Sequence, residues 1–158
     1  MPNSRRKTMD TQNGPFANFF DSDSRYIVPR FQRDYNWETD HVLEFWDDLF
    51  KHYTEWETRK NRIPYYFGSF MLVNVDESDP NYLVVDGQQR LTTSMIFFIA
   101  LRDYFLELGK NDDVDDLNEI INFQDISEVK PRIQLNRYND PFFKTKMMPQ
   151  NPINQKKK

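Results

Sequence analysis

The chain has 158 residues, a formal net charge of −4 and no cysteine. That length holds one core, and the missing cysteines exclude disulfides, thiolate metal sites and cysteine nucleophiles. The acidic balance excludes a uniformly basic nucleic-acid clamp, so any contact with DNA needs a local patch.

The 14 Phe, 8 Tyr and 3 Trp predict a core rich in aromatic rings. Residues 1–15 are polar and are expected to be disordered, ahead of a domain over 16–145 and a flexible tail over 146–158. Their basic start, Met-Pro-Asn-Ser-Arg-Arg-Lys, lacks the apolar stretch of a secretory signal. No apolar run approaches the ~20 residues of a membrane span. The expectation is a cytoplasmic protein with no membrane partner. Ala17 to Phe20 reads as a helical turn, and Arg25 to Val28 as a short strand stopped by Pro29. Thr39 reads as an N-cap with Asp40 in the first turn. Beyond it Val42, Leu43, Trp46, Leu49, Phe50 and Tyr53 recur at helical spacing and predict one buried face reaching to about Trp56. His41 and His52 lie eleven residues apart in this segment, which argues against a histidine metal cluster.

Tyr65 to Val75 reads as a long strand, with Gly68 and Ser69 marking a bulge or a close backbone approach. Tyr82 to Val85 returns as its antiparallel partner. The segment after Arg90 is apolar nearly all round and predicts a central helix ended by Gly109. Asp112 to Asp116 reads as a solvated acidic loop leading into a short helix. Leu117 to Phe123 and Arg132 to Leu135 are weaker elements, and Asn139-Asp140-Pro141 caps a last helix from Phe142. There is no internal repeat. Hairpin, central helix and flanking helices together predict an α+β domain.

Two stretches carry chemistry. Leu83-Val84-Val85 stops at an Asp86-Gly87 corner, and Gln88-Gln89-Arg90 opens the central helix. A strand that delivers a glycine to a helix N-terminus leaves outward N–H groups with the positive end of the dipole behind them. Arg90 adds a planar fork suited to phosphate oxygens. The same residues also describe a tight Asp-Gly turn in a protein that binds nothing. The second stretch, Arg30-Phe31-Gln32-Arg33-Asp34-Tyr35-Asn36-Trp37, interleaves cations and amides with rings, which suits a phosphate beside a stacked base. Equally, it describes an arginine-aromatic surface packing a helix against a sheet.

Four blocks then appear in order: Pro29 to Trp37, Phe45-Trp46-Asp47-Asp48-Leu49, Tyr66-Phe67-Gly68-Ser69-Phe70, and Val85 to Thr93. This series resembles the N-terminal domain of GmrSD-type modification-dependent restriction endonucleases, over about Phe16 to Tyr104 and more weakly over Pro131 to Phe143. The resemblance implies a ParB/sulfiredoxin-like fold, with a small mixed sheet, a buried central helix and flanking helices. It also implies binding, and in several members hydrolysis, of a nucleoside triphosphate that controls cleavage of modified DNA. The family's nucleotide motif falls on Asp86, Gly87, Gln88, Gln89 and Arg90. On that resemblance Gly87 admits a phosphate and Gln88, Gln89 and Arg90 donate to it; Thr92 and Thr93 add hydroxyl donors or else lie on the helix surface, and Gln32 and Arg33 complete the pocket from the opposite side. Asp86 holds Mg²⁺ through water or orients an attacking water, or else bonds its own turn.

A DNA-reading alternative uses Arg25, Arg30, Arg33 and the neighbouring rings Phe31 and Tyr35. In the family a long helical region and an HNH-type nuclease module, in cis or trans, accompany this domain. The chain therefore reads as a truncated domain or a one-domain relative, not expected to cut DNA by itself. No Gly-rich lysine loop of the P-loop type is present, and without cysteine sulfiredoxin chemistry is excluded.

Overall fold

The computed structural model describes residues 14, 16–20, 23–58, 63–74, 76, 79–125 and 127–148. The predicted disorder over 1–15 falls almost wholly outside these residues, as does most of the predicted tail. In chain order the elements are a 3₁₀ turn (Phe16–Phe19), β1 (Arg25–Ile27), α1 (Thr39–Thr58), β2 (Met71–Asn74), β3 (Asn81–Asp86), α2 (Gln88–Glu107) and α3 (Asn111–Ile121). They continue with β4 (Asn122–Gln124), β5 (Val129–Pro131), β6 (Ile133–Gln134), α4 (Asp140–Phe142) and a π turn (Phe143–Met147). The fold is α+β.

Tyr26, Val84 and Ile133 are each nearly or fully buried, and each comes from a different strand of one small mixed sheet in the order β2-β3-β1-β6. β2 pairs antiparallel with β3, as the hairpin reading expects, whereas β1 runs parallel to both β3 and β6. The core lies between this sheet and the helix α2, whose Leu91, Met95 and Ile99 meet Leu117 and Ile121 of α3. Burying several such side chains at about 1.5–3 kcal/mol each makes α2 the central element. Gly109, at φ +69, closes it. Met148, just past the π turn, packs against the same core.

The structure departs from the sequence expectation at three places. Tyr65 to Phe70 is not strand; only Met71–Asn74 pairs, because the preceding segment turns at Gly68 to meet α2 instead. The acidic run is not a loop but the body of α3, where Asp112 and Asp113 occupy the first turn and favour the positive end of its dipole. The third concerns α1, which has no buried residue. The row Phe45, Leu49, His52 and Trp56 is half-buried. Phe45 meets Trp37 at 5.7 Å and Phe67 at 5.6 Å, and His52 meets Tyr65 at 5.2 Å. Leu43, Trp46, Phe50 and Tyr53 stay exposed. The helix is apolar over half its circumference and the domain covers only the other part of that half, a choice periodicity does not encode.

One buried cation fastens the sheet to α3. Arg132 is 7% exposed and donates to Ile120 O (2.8 Å), Glu119 O (2.8 Å) and Ser24 O (3.0 Å). It thereby satisfies carbonyls at the C-terminal end of α3, where a positive charge is favoured. Arg132→Met leaves those carbonyls unpaired and is expected to lower the unfolding free energy by about 3 kcal/mol, measured by urea denaturation.

Candidate functional site

β3 ends at Asp86, and Gly87 turns the chain into α2 with φ +88. Residues with a Cβ rarely adopt this left-handed backbone, and a Cβ here would lie 2.5 Å from Phe70 Cδ1. Conformation and space thus both call for glycine. The first helical bond runs from Leu91 N–H to Gly87 O at 3.0 Å, and no side chain caps the helix. Among the described residues no acceptor is placed against the backbone N–H groups of Gln88, Gln89 and Arg90. Those groups carry the positive end of a 20-residue helix.

The same three residues line a cleft of about 320 Å³ whose walls are the segment Val85 to Arg90 on one side and Gln32, Arg33 and Trp37 on the other. The motif side chains tie those walls together at a fixed spacing. Gln88 Nε2 donates to Arg33 O (3.0 Å) and Gln89 Nε2 to Asp34 O (3.1 Å), while Asn36 N–H donates to Gln89 Oε1 (3.1 Å). Gln32 Nε2 reaches back to Val85 O at 2.9 Å. A second layer comes from far along the chain: Asn136 Nδ2 donates to Asp34 Oδ1 (2.7 Å), and Tyr35 N–H donates to Asn139 Oδ1 (3.0 Å). On the other flank Arg90 Nη1 donates to Phe67 O (2.8 Å) and Nη2 to Ser69 O (2.7 Å), with the guanidinium 5.0 Å from the Phe70 ring centroid.

The structure therefore gathers Asp86, Gly87, Gln88, Gln89, Arg90, Gln32 and Arg33 around one cleft. Arg90 sits there as a clamp on two carbonyls rather than as a free fork. Thr92 and Thr93 lie behind the cleft, both buried; Thr93 Oγ1 donates to Gln89 O (2.9 Å) and lies 3.0 Å from Tyr35 Oη. Tyr35 is thus tied to α2. Arg25 is elsewhere, donating from β1 to Pro131 O and Gln134 Oε1, each at 3.0 Å. Burial lowers its pKa, opposed by the charge of Asp140. Arg30 and Phe31 are exposed at the tip of the loop before Gln32.

Two charged groups on the walls are uncommitted. Among the described residues the Arg33 guanidinium has no hydrogen bond or ion pair, and neither has the exposed Asp86 carboxylate, which makes no bond to its own turn. Gln88 Oε1 is buried without a partner. Trp37 and Val85 line the cleft but are absent from the predicted site residues, although Trp37 belongs to the arginine-aromatic stretch. Its ring stacks on His41 at 6.4 Å and 17°, which holds it in the wall. The signal was its place at the end of the arginine-aromatic run. Among the described residues no group of three or more His, Cys, Asp or Glu could hold a metal, and Asp86 is the cleft's acid. No helix of the described residues is long and apolar enough to cross a membrane.

A strand that passes through an obligatory glycine into a central helix, with a cleft at that junction, defines an α+β domain whose site is built on a helix N-terminus. The model of the GmrSD restriction endonuclease N-terminal domain matches residues 16–158. The chain belongs to that family. No curated protein sequence matches it.

Proposed function

We propose that the cleft binds the phosphate chain of a nucleoside triphosphate, and that the domain is the nucleotide-responsive part of a modification-dependent DNA restriction system. One observation carries this reading: among the described residues, three residues at the start of α2 with uncapped N–H groups and Arg33 with an unpaired guanidinium line the same cleft. Backbone N–H groups and a planar cation are complementary to phosphate oxygens. The volume of about 320 Å³ lies at the lower end of small-molecule sites, about 300–1,000 Å³. Trp37 supplies a flat face for a base. Gln88, Gln89 and Arg90 act as positioning residues that set the width of the cleft through the bonds described above.

Mg²⁺ fits this donor set only as a shared ligand. A single carboxylate, Asp86, offers one or two oxygens, so the phosphates and water supply the rest, the usual arrangement for this ion. When bound, the metal neutralises phosphate charge. Asp86 itself holds it through water or accepts a proton from an attacking water. DNA cleavage belongs to a nuclease module of HNH type, in cis or trans.

Melting curves of the intact chain with each nucleoside triphosphate, with and without Mg²⁺, test this, since a ligand that binds only the folded state raises Tm. Arg33→Ala is expected to keep the ligand-free Tm and to weaken binding by about 1.5–3 kcal/mol. Asp86→Asn is expected to keep binding but remove its Mg²⁺-dependent part, with turnover falling further than affinity. Equal ligand-induced shifts in wild type and Arg33→Ala contradict the assignment.

A second reading, DNA contact next to the cleft, has its own observation. Asn136 and Asn139 tie two loops together, and those loops expose Arg30, Phe31 (83%), Arg137 and Tyr138 (75%). Cations beside free rings suit phosphates and unstacked bases. Binding through this patch weakens steeply with salt, whereas a pocketed nucleotide responds more to Mg²⁺ and phosphate number.

A further inference from the structure

We propose that the outer face of α1 is the docking site for an amphipathic helix with a basic margin, supplied by a partner protein. Leu43, Trp46, Phe50 and Tyr53 follow one another at intervals of three and four residues and are 42–58% exposed. The row is continuous with the domain surface through Trp46, whose ring lies 5.4 Å from that of Phe97 on α2. Such a contiguous ridge of large apolar side chains marks an interaction surface rather than a scatter of single exposed residues. Its span, the eleven residues from Leu43 to Tyr53, is about 15 Å and matches about three turns of a partner helix.

The charge around the row selects the occupant. The helix carries six carboxylates, from Asp40 to Glu57, against a single lysine, Lys51. Asp40, Asp47 and Glu57 each lie three or four residues from a member of the row, which makes them its neighbours on the helix surface. All three are exposed and none pairs with a cation among the described residues. An apolar seam edged on one side by Asp40 and Asp47 and ended by Glu57 complements a helix whose apolar seam carries Lys or Arg along one edge. Two copies of α1 packed antiparallel would instead set acidic edge against acidic edge, which disfavours that self-association.

The test titrates the intact chain with two synthetic amphipathic peptides of about 18 residues, long enough to hold a helix on contact. One is built from Leu and Lys, the other from Leu and Glu with the same apolar pattern. Tryptophan fluorescence and calorimetry read binding. The Leu/Lys peptide is expected to bind and the Leu/Glu peptide not. Phe50→Ser and Leu43→Ser, both at exposed positions with Tm as the folding check, are expected to weaken binding at least tenfold, and Asp47→Lys severalfold. Equal binding by Phe50→Ser and wild type reduces the interaction to charge alone and overturns the proposal. Equal binding of both peptides overturns it as well. A wild-type dimer in sedimentation that Phe50→Ser makes monomeric assigns the face to a second copy and overturns it too. Binding that appears only after Lys156→Glu, Lys157→Glu and Lys158→Glu are combined assigns it to the chain's own end, again against the proposal.

Discussion

Gly87→Ala is expected to lower stability by about 2–5 kcal/mol and to abolish nucleotide binding. A left-handed backbone costs a residue with a Cβ about 1–2 kcal/mol. The new methyl group would also stand 2.5 Å from Phe70 Cδ1, and relieving such overpacking costs a further ~1–3 kcal/mol. The two effects share one escape: a shift of the turn, which rotates the first N–H groups of α2 away from the cleft. A fall in Tm of roughly 5–15 °C with loss of the ligand-induced shift meets the expectation. A stable Gly87→Ala chain that still binds triphosphate contradicts the role given to this turn.

Arg90→Ala is expected to destabilise the chain even without ligand, by about 2–3 kcal/mol. The substitution removes the two charge-assisted bonds to Phe67 O and Ser69 O and strips the cation from the Phe70 ring. The loop that supports Gly87 loses its tether, so binding falls indirectly. Gly68 supplies a sharper check, because a Cβ at that position would overlap Arg90 Nη1 outright. Gly68→Ala should therefore be far more damaging in wild type than in the Arg90→Ala background, where only the strain of φ +88 remains. A coupling of at least about 1 kcal/mol in the double-mutant cycle is expected. Additive effects would release Arg90 from the clamp and return it to direct phosphate contact.

The parts of this fold that were readable in the chain are those where local pattern and tertiary environment agree. The β2–β3 hairpin and α2 announce themselves because runs of β-favouring residues bounded by turns and an all-round apolar helix leave few alternatives. Gly87 and Gly109 were readable for the same reason, since both positions need a left-handed backbone. What escaped was set by partners distant in sequence. The parallel pairing of β1 with β6 joins residues over a hundred positions apart, and no local signal encodes it. Tyr65 to Phe70 has strand composition but is drawn out of the sheet by the Arg90 clamp. At the site, the clustering of Asp86 to Arg90 with Gln32 and Arg33 was legible, yet the direction of the side chains was not. Gln88 and Gln89 look like free donors in the sequence; in the fold both amides brace the 33–36 segment, and Trp37 enters the wall as a consequence.

The most direct measurement is a ¹H–¹⁵N NMR titration of the chain with inorganic triphosphate, which carries the phosphates without a base. Saturable shifts centred on the backbone amides of Gly87, Gln88, Gln89 and Arg90, with Arg33 Nε following and the Asn111–Ile121 helix silent, are the predicted result. Shifts that avoid the start of α2, or that gather only at the exposed arginines and vanish with modest salt, would contradict a phosphate site in this cleft.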